Sequence, residues 1–323
     1  MNAEDRDIPS ARTFSRRQAL GALSLTGASA ALMSCATTKL PSAAPSRFRY
    51  CLNMSTIRGQ NLSIPEEVEI AGQAGYDAIE PWLGKLNQYV SGGGSLSDLR
   101  KQIEDYGMTV ESAIGFASWA VNDPDKRKKG VEDATRDMEL LAQIGGKRIA
   151  APPAGVPGDD PVEPDAAAER YRHLLEIGEQ TGVVPQIEMW GGHSSIGKVS
   201  TAIYIALEAG HPQACFLGDV YHTYKGGSSF EALRLLSGQA LQVVHMNDYP
   251  ADPPQNEIRD EHRVFPGDGI APLQEIFSIF KSVGAAPALS LELFNRAYWK
   301  MDPLEAASVG LRKMKTAVAA ATA

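Results

Sequence analysis

The sequence predicts a single (β/α)8 barrel, and three observations carry that prediction. Short apolar runs alternate with helical stretches eight times from residue 47 onward. Glycines fall between helix and next strand at Gly75, Gly107, Gly145-Gly146, Gly182, Gly210 and Gly284, where a left-handed helix cap is expected. The runs PQIEMW, ACFLGD, LQVVH and ALSLELF each place Glu188, Asp219, His245 or Glu292 near the C-terminal end of a strand. In such a barrel those ends converge on one face, and that face carries the chemistry.

The elements follow in order. FRYCLN (48–53) reads as strand one, with a helix over 65–74, and YDAIE (76–80) as strand two, with a helix over 96–106. MTVESAI (108–114) is strand three, followed by a helix over 125–144. KRIAAP (147–152) is strand four, and a Pro-rich loop leads to a helix that Asp165 can cap. VVPQIEMW (183–190) is strand five, with residues 201–209 in its helix. ACFLGD (214–219) is strand six, with a helix over 229–236, and LQVVHMND (241–248) is strand seven. A long loop runs to Pro272 and a helix to Val283. APALSLELF (286–294) is strand eight, closed by a helix over 303–317. No GxGxxG follows a strand and no Walker A pattern is present, so nucleotide-binding folds find no support.

Residues 1–34 read as an export signal and 35–46 as a Pro/Ser tether, leaving 47–323 for the barrel. Ser15-Arg16-Arg17-Gln18-Ala19-Leu20 resembles a twin-arginine motif. The charge-free stretch 19–33 is short for a membrane span but suits a signal h-region. Leu32-Met33-Ser34-Cys35 resembles a lipoprotein cleavage box, which makes Cys35 the candidate lipidation site. An uncleaved anchor is the other reading. Either way the expected location is outside the cytoplasm, in the periplasm or tethered to the cell envelope, with membrane contact only through this terminus.

The chain has 323 residues and a formal charge of −8, an acidic balance that argues against nucleic acid as partner. Cys51 and Cys215 fall in predicted strands one and six, which are not neighbours in an eight-stranded barrel. They read as buried thiols rather than a disulfide.

Glu188, Asp219, His245 and Glu292 come from four consecutive strands, so they can reach one divalent ion. Their mixed oxygen and nitrogen character suits Mn²⁺, Co²⁺, Mg²⁺ or Zn²⁺. Such an ion stabilises charge on a substrate oxygen during deprotonation, and Glu188 and Glu292, at opposite ends of the arc, can take and return the proton. His222 lies three residues beyond Asp219, within reach of reacting oxygens. Arg263 sits in the long loop after strand seven and can clamp a hydroxyl or carbonyl. Asn53, at the end of strand one, and Trp190 complete the candidate substrate contacts. Bland readings remain beside these. A carboxylate at a strand end also caps helices. Asp248 is a partner of the site or a loop cap, and Trp190 and Trp299 are pocket walls or packing. His173 and His211 read as surface residues on helices.

The chain also resembles the xylose-isomerase-like sugar isomerase/epimerase superfamily, most strongly its inosose isomerases. The resemblance spans nearly all of 48–316 and rests on EHRVFPGDGIAPL (261–273), LSLELFNRAYWKMDP (289–303), CLNMST, GYDAIEPWLGKL and GDVYHTYKGGS. It implies metal ligands at Glu188, Asp219, His245 and Glu292, a substrate-contacting histidine at His222 and a loop arginine at Arg263. It also implies proton transfer through an enediolate, with the two glutamates as acid and base.

The expected activity is isomerisation or epimerisation of a keto-sugar or keto-cyclitol, with a small carbohydrate as partner and a homo-oligomer left open. A lyase or dehydratase sharing the same first step is the alternative. A sugar-binding lipoprotein without catalysis is a third reading. DNA repair of the endonuclease IV kind is disfavoured by six histidines in all and an acidic body.

Overall fold

The computed structural model describes residues 48–322. The signal, the tether and Cys35 lie outside the described residues. In order, the strands are β1 (Arg49–Asn53), β2 (Ala78–Glu80), β3 (Thr109–Val110), β4 (Arg148–Ala151), β5 (Val184–Glu188), β6 (Phe216–Asp219), β7 (Leu241–Met246) and β8 (Ala288–Leu291). The helices are α1 (Ile64–Ala74), α2 (Leu83–Ser91), α3 (Leu96–Asp105), α4 (Pro124–Gln143), α5 (Pro164–Thr181), α6 (Val199–Glu208), α7 (Val220–Lys225), α8 (Leu273–Ser282) and α9 (Pro303–Thr322). None of the described helices is long and apolar enough to cross a membrane.

All strand pairs are parallel, in the order β3-β2-β1-β8-β7-β6-β5-β4. The free edges of β3 and β4 meet where Ala150 N donates to Ala113 O at 2.9 Å. Ile114, Ala150, Leu217, Val243 and Ala288 touch one another as a separate buried cluster. They come from or beside strands all around the sheet, so the sheet closes on itself and side chains fill its interior. The larger apolar cluster lies between the sheet and the helices. Strands buried on both faces explain why the sequence runs are continuously apolar rather than alternating.

Several expectations are corrected. Strand three is expected over seven residues, but only Thr109–Val110 forms regular ladder with β2. Pro81 interrupts the continuation because it has no N–H to give, although Ile114 N still donates to its carbonyl at 2.9 Å. Helix α2 is missed: it starts at Trp82 without a side-chain cap, so no start signal marks it. Helix α7 is also missed, and the helix expected over 229–236 is a 3-10 turn, Phe230–Leu235. Asp165 does not cap α5. The cap position is Glu163, and Asp165 accepts a 2.5 Å hydrogen bond from Tyr204 Oη. His211 is not a surface side chain: only 5% of it is exposed, and Nε2 faces Glu179 Oε1 at 3.3 Å. His173 is exposed on α5 as expected. Cys51 and Cys215 are free buried thiols, and burial pushes Cys215 up to about 12.

Candidate metal centre

Asp219 ends β6 and pairs in register with His245 of β7, while Glu188 ends β5 and Glu292 follows β8. Asp219, His245 and Glu292 each offer a ligand atom within 4.8 Å of the others, and all three are buried. Glu188 flanks this group, with Oε1 3.7 Å from His245 Nδ1. The same Nδ1 lies 3.5 Å from Asp219 Oδ2 and 3.1 Å from Glu292 Oε2. Despite this proximity it has no hydrogen-bond partner.

A buried ring nitrogen without a hydrogen bond, aimed at three carboxylates, fits a divalent cation. The other ring nitrogen fits too. Nε2 lies 3.1 Å from Glu80 Oε2, so a carboxylate behind the imidazole orients it. Glu80 is fully buried. It accepts 2.8 Å and 2.6 Å hydrogen bonds from Asn53 Nδ2 and Ser290 Oγ. Sequence reasoning missed Glu80. The signal was present, since it ends the strand-two run as Glu188 ends that of strand five.

Charge in the centre is finely opposed. Burial pushes the Glu188 carboxyl up to about 8; His245 opposes this, and Glu292 and Asp219 add to it. Burial also works to raise Asp219, but Arg263 and His245 hold it well below the usual carboxylate range. For His245 burial favours the neutral ring, yet Glu292 and Glu80 outweigh it and raise its pKa well above normal.

Arg263 reaches into this nest from the loop after β7 and is 1% exposed. Its Nη1 donates to Asp219 Oδ2 at 3.0 Å and to Glu292 Oε2 at 2.7 Å. Its Nε and Nη2 donate to Asp260 Oδ1 at 3.1 and 2.5 Å. Nη2 also faces His222 Nε2 at 3.1 Å. His222 Nδ1 accepts the Gly191 amide at 3.1 Å. Burial lowers the His222 pKa, consistent with the neutral ring. Both ring nitrogens of His222 therefore face donors, and a neutral ring can accept from only one of them.

Asn53 is brought to the centre as well. Its Nδ2 donates to Glu80 and, at 3.2 Å, to Glu292 Oε1, so it ties two carboxylates together. Asp219 combines both of its readings, because Oδ1 accepts from His222 N at 2.8 Å and caps α7. Asp248 is a loop cap: its carboxylate accepts from the amides of Tyr249, Gly267, Gly269 and Ala271. Trp299 is packing, with Nε1 donating to Ser55 O at 2.9 Å. Trp190 stands at the mouth, half-buried, with its ring 6.2 Å from that of Phe116. A cleft of about 780 Å³ opens beside His222 and Asp260, bounded also by Tyr221, Lys225 and Arg259.

Comparison with known proteins agrees with this architecture. Residues 68–317 match the family described as xylose isomerase-like TIM barrel. An inosose isomerase of Bacillus velezensis is 25% identical over 261 residues, covering 80% of this chain and 92% of that protein. A 3-dehydroshikimate dehydratase of Pseudomonas putida is 24% identical, over 78% of this chain but only 39% of that longer protein. Among solved structures, the IolI protein with a bound zinc atom superposes with a TM-score of 0.77 at 23% identity. That match covers 84% of this chain and 99% of the other. The chain therefore belongs to the xylose isomerase-like TIM barrel family.

Proposed function

We propose that this chain is a divalent-metal-dependent isomerase or epimerase of a keto-sugar or keto-cyclitol. The observation that carries the reading is His245 Nδ1: buried, without a hydrogen bond, and faced by Glu188, Asp219 and Glu292. Those four side chains would hold the ion, which when bound supplies Lewis-acid polarisation of a substrate carbonyl. The inosose isomerase relatives and the zinc in the IolI structure support the same chemistry.

The chain's own residues supply the proton path. Glu188 and Glu292 come from opposite ends of the arc, so each can serve one face of a substrate carbon. A carboxylate on each face can take a proton from a substrate carbon and return it. Glu292 is held in position by Asn53 and Arg263. His222 offers its Nε2–H to a substrate oxygen, and the Arg263 guanidinium can support charge there.

A second reading shares the first proton abstraction. Loss of a β-leaving group instead of reprotonation would make a lyase or dehydratase, and the dehydratase relative favours keeping it. One experiment separates the two. Metal-loaded protein is incubated in D₂O with inososes, ketoses and 3-keto-glycosides and followed by NMR. Deuterated isomers support the first reading, and an unsaturated product replaces it with the second. Absence of both, with no effect of added ion, ends the proposal.

Export belongs to the same proposal, with Cys35 as the candidate lipidated residue. The twin-arginine and lipoprotein-like motifs support it. Mass spectrometry of the mature amino terminus from the envelope fraction tests it, and an unprocessed chain in the cytoplasm would end it.

A further inference from the structure

Three of the carboxylates at the strand ends are followed two residues later by a large aromatic side chain. The pairs are Glu80 and Trp82, Glu188 and Trp190, and Glu292 and Phe294. In extended backbone, residues i and i+2 point to the same side. Extended backbone does continue at Trp82, which bridges in parallel to Ile114 beyond β3. The aromatic rings therefore stand one layer outside the carboxylates, at the barrel mouth.

A fourth ring closes the gap between strands. Phe116, two residues beyond Ile114, lies 5.2 Å from Trp82 and 6.2 Å from Trp190 by ring centroid. Trp82 in turn lies 6.2 Å from Phe294. The four rings form a continuous arc, Phe294–Trp82–Phe116–Trp190. Its inner end is tied to the centre, since Arg263 lies 5.2 Å over Phe294 and Trp82 Nε1 donates to Asn53 Oδ1 at 3.3 Å. Its outer half is open: Phe116 keeps 48% of its surface exposed. Arg58 lies 4.6 Å over the Trp82 ring, so the exposed Phe116 beside the half-buried Trp190 is the apolar surface left open next to a polar centre.

We propose that this arc is a subsite for a second ring of the substrate. The substrate would be a keto-sugar bearing a ring substituent, with its reacting ring at the carboxylates and its second ring against Phe116 and Trp190. Each step along the arc is about as wide as one six-membered ring, so the arc is too long for a free monosaccharide or cyclitol alone. The tilted rings present faces that accept either the C–H face of a sugar or an aryl group. This inference rests on the carbohydrate reading above and narrows it to glycosides.

Binding tests it without turnover. Mn²⁺-loaded full-length protein is titrated calorimetrically with methyl β-glucoside, cellobiose and 4-nitrophenyl β-glucoside, and tryptophan fluorescence is followed with the last. Cellobiose or the nitrophenyl glucoside is expected to bind at least about tenfold more tightly than the methyl glucoside. The nitrophenyl group is expected to quench Trp82 and Trp190. Preference for cellobiose assigns the subsite to a sugar, and preference for the nitrophenyl glucoside to an aryl group. In Phe116→Ala the preference is expected to collapse, while Phe116→Leu retains part of it and both variants keep the wild-type melting temperature. Equal affinity for all three ligands, no binding of any, or a preference unchanged in Phe116→Ala overturns the subsite. Failure of deuterium exchange in D₂O bears on the reaction alone, so the two proposals fail separately.

Discussion

Glu80 Oε2 lies 3.1 Å from His245 Nε2, and neither side chain has any exposed surface. The pair joins strands 165 residues apart in the chain. It turns the imidazole so that Nδ1 faces the three remaining carboxylates. Glu80→Gln keeps the shape and removes the charge. It is expected to weaken Mn²⁺ binding by about 10–100-fold, the usual cost of losing a partner behind a histidine ligand. Equilibrium dialysis measures it, and unchanged affinity would separate Glu80 from the centre.

Arg263 places a cation between Asp219 and Glu292. Arg263→Gln removes the guanidinium that pairs with both buried carboxylates. The metal-free variant is expected to lose about 3–5 kcal/mol of stability. Added Mn²⁺ is expected to raise its melting temperature more than that of the parent. Equal responses to the ion in the two proteins would contradict this role for Arg263.

For the proton path, Glu188→Gln removes the carboxylate at the end of β5. Deuterium incorporation is expected to fall by about 10²–10⁴-fold while circular dichroism stays unchanged. Incorporation at the parent rate would rule out Glu188 as acid or base.

His222 is read as an Nε2–H donor because its Nδ1 accepts the Gly191 amide. Glutamine can return a donor near Nε2, whereas alanine cannot. His222→Ala is expected to raise KM by about tenfold, the cost of one lost hydrogen bond, and His222→Gln by less. Identical KM values in the two variants would place the role of His222 in structure alone.

Away from the centre, Glu67 on α1 is 1% exposed and faces Lys85. Burial pushes its carboxyl up to about 7, and Lys85 only partly opposes that. The folded protein therefore binds this proton more tightly than the unfolded chain, and stability falls as pH rises from about 4.5 to 7. Glu67→Gln is expected to remove that fall, on the order of 3 kcal/mol across the window. Urea denaturation at several pH values checks it, and parallel profiles for variant and parent would refute it.

Much of this centre is legible in the sequence. Glu188, Asp219, His245 and Glu292 are readable because each closes an apolar run, and eight such runs leave few topologies in which they could be far apart. The arc of aromatic rings is half-legible: the spacing of Trp82, Trp190 and Phe294 from their glutamates stands in the sequence, but Phe116 has no such marker. Helices α2 and α7 escape because neither carries a sequence-evident start signal of the usual kind. Trp82 offers no side-chain cap, and Asp219 caps α7 from inside a strand run.

Local pattern thus determined the barrel, the order of its strands and the identity of the four candidate ligands, since periodicity and strand-end position are properties of neighbouring residues. Tertiary structure alone decided that Glu80 stands behind His245, that Arg263 lies between Asp219 and Glu292, and that Phe116 links Trp82 to Trp190. Each of these depends on closing the sheet. Closure sets the distance between strands remote in sequence, and low-dielectric burial then makes their charges and rings act on one another.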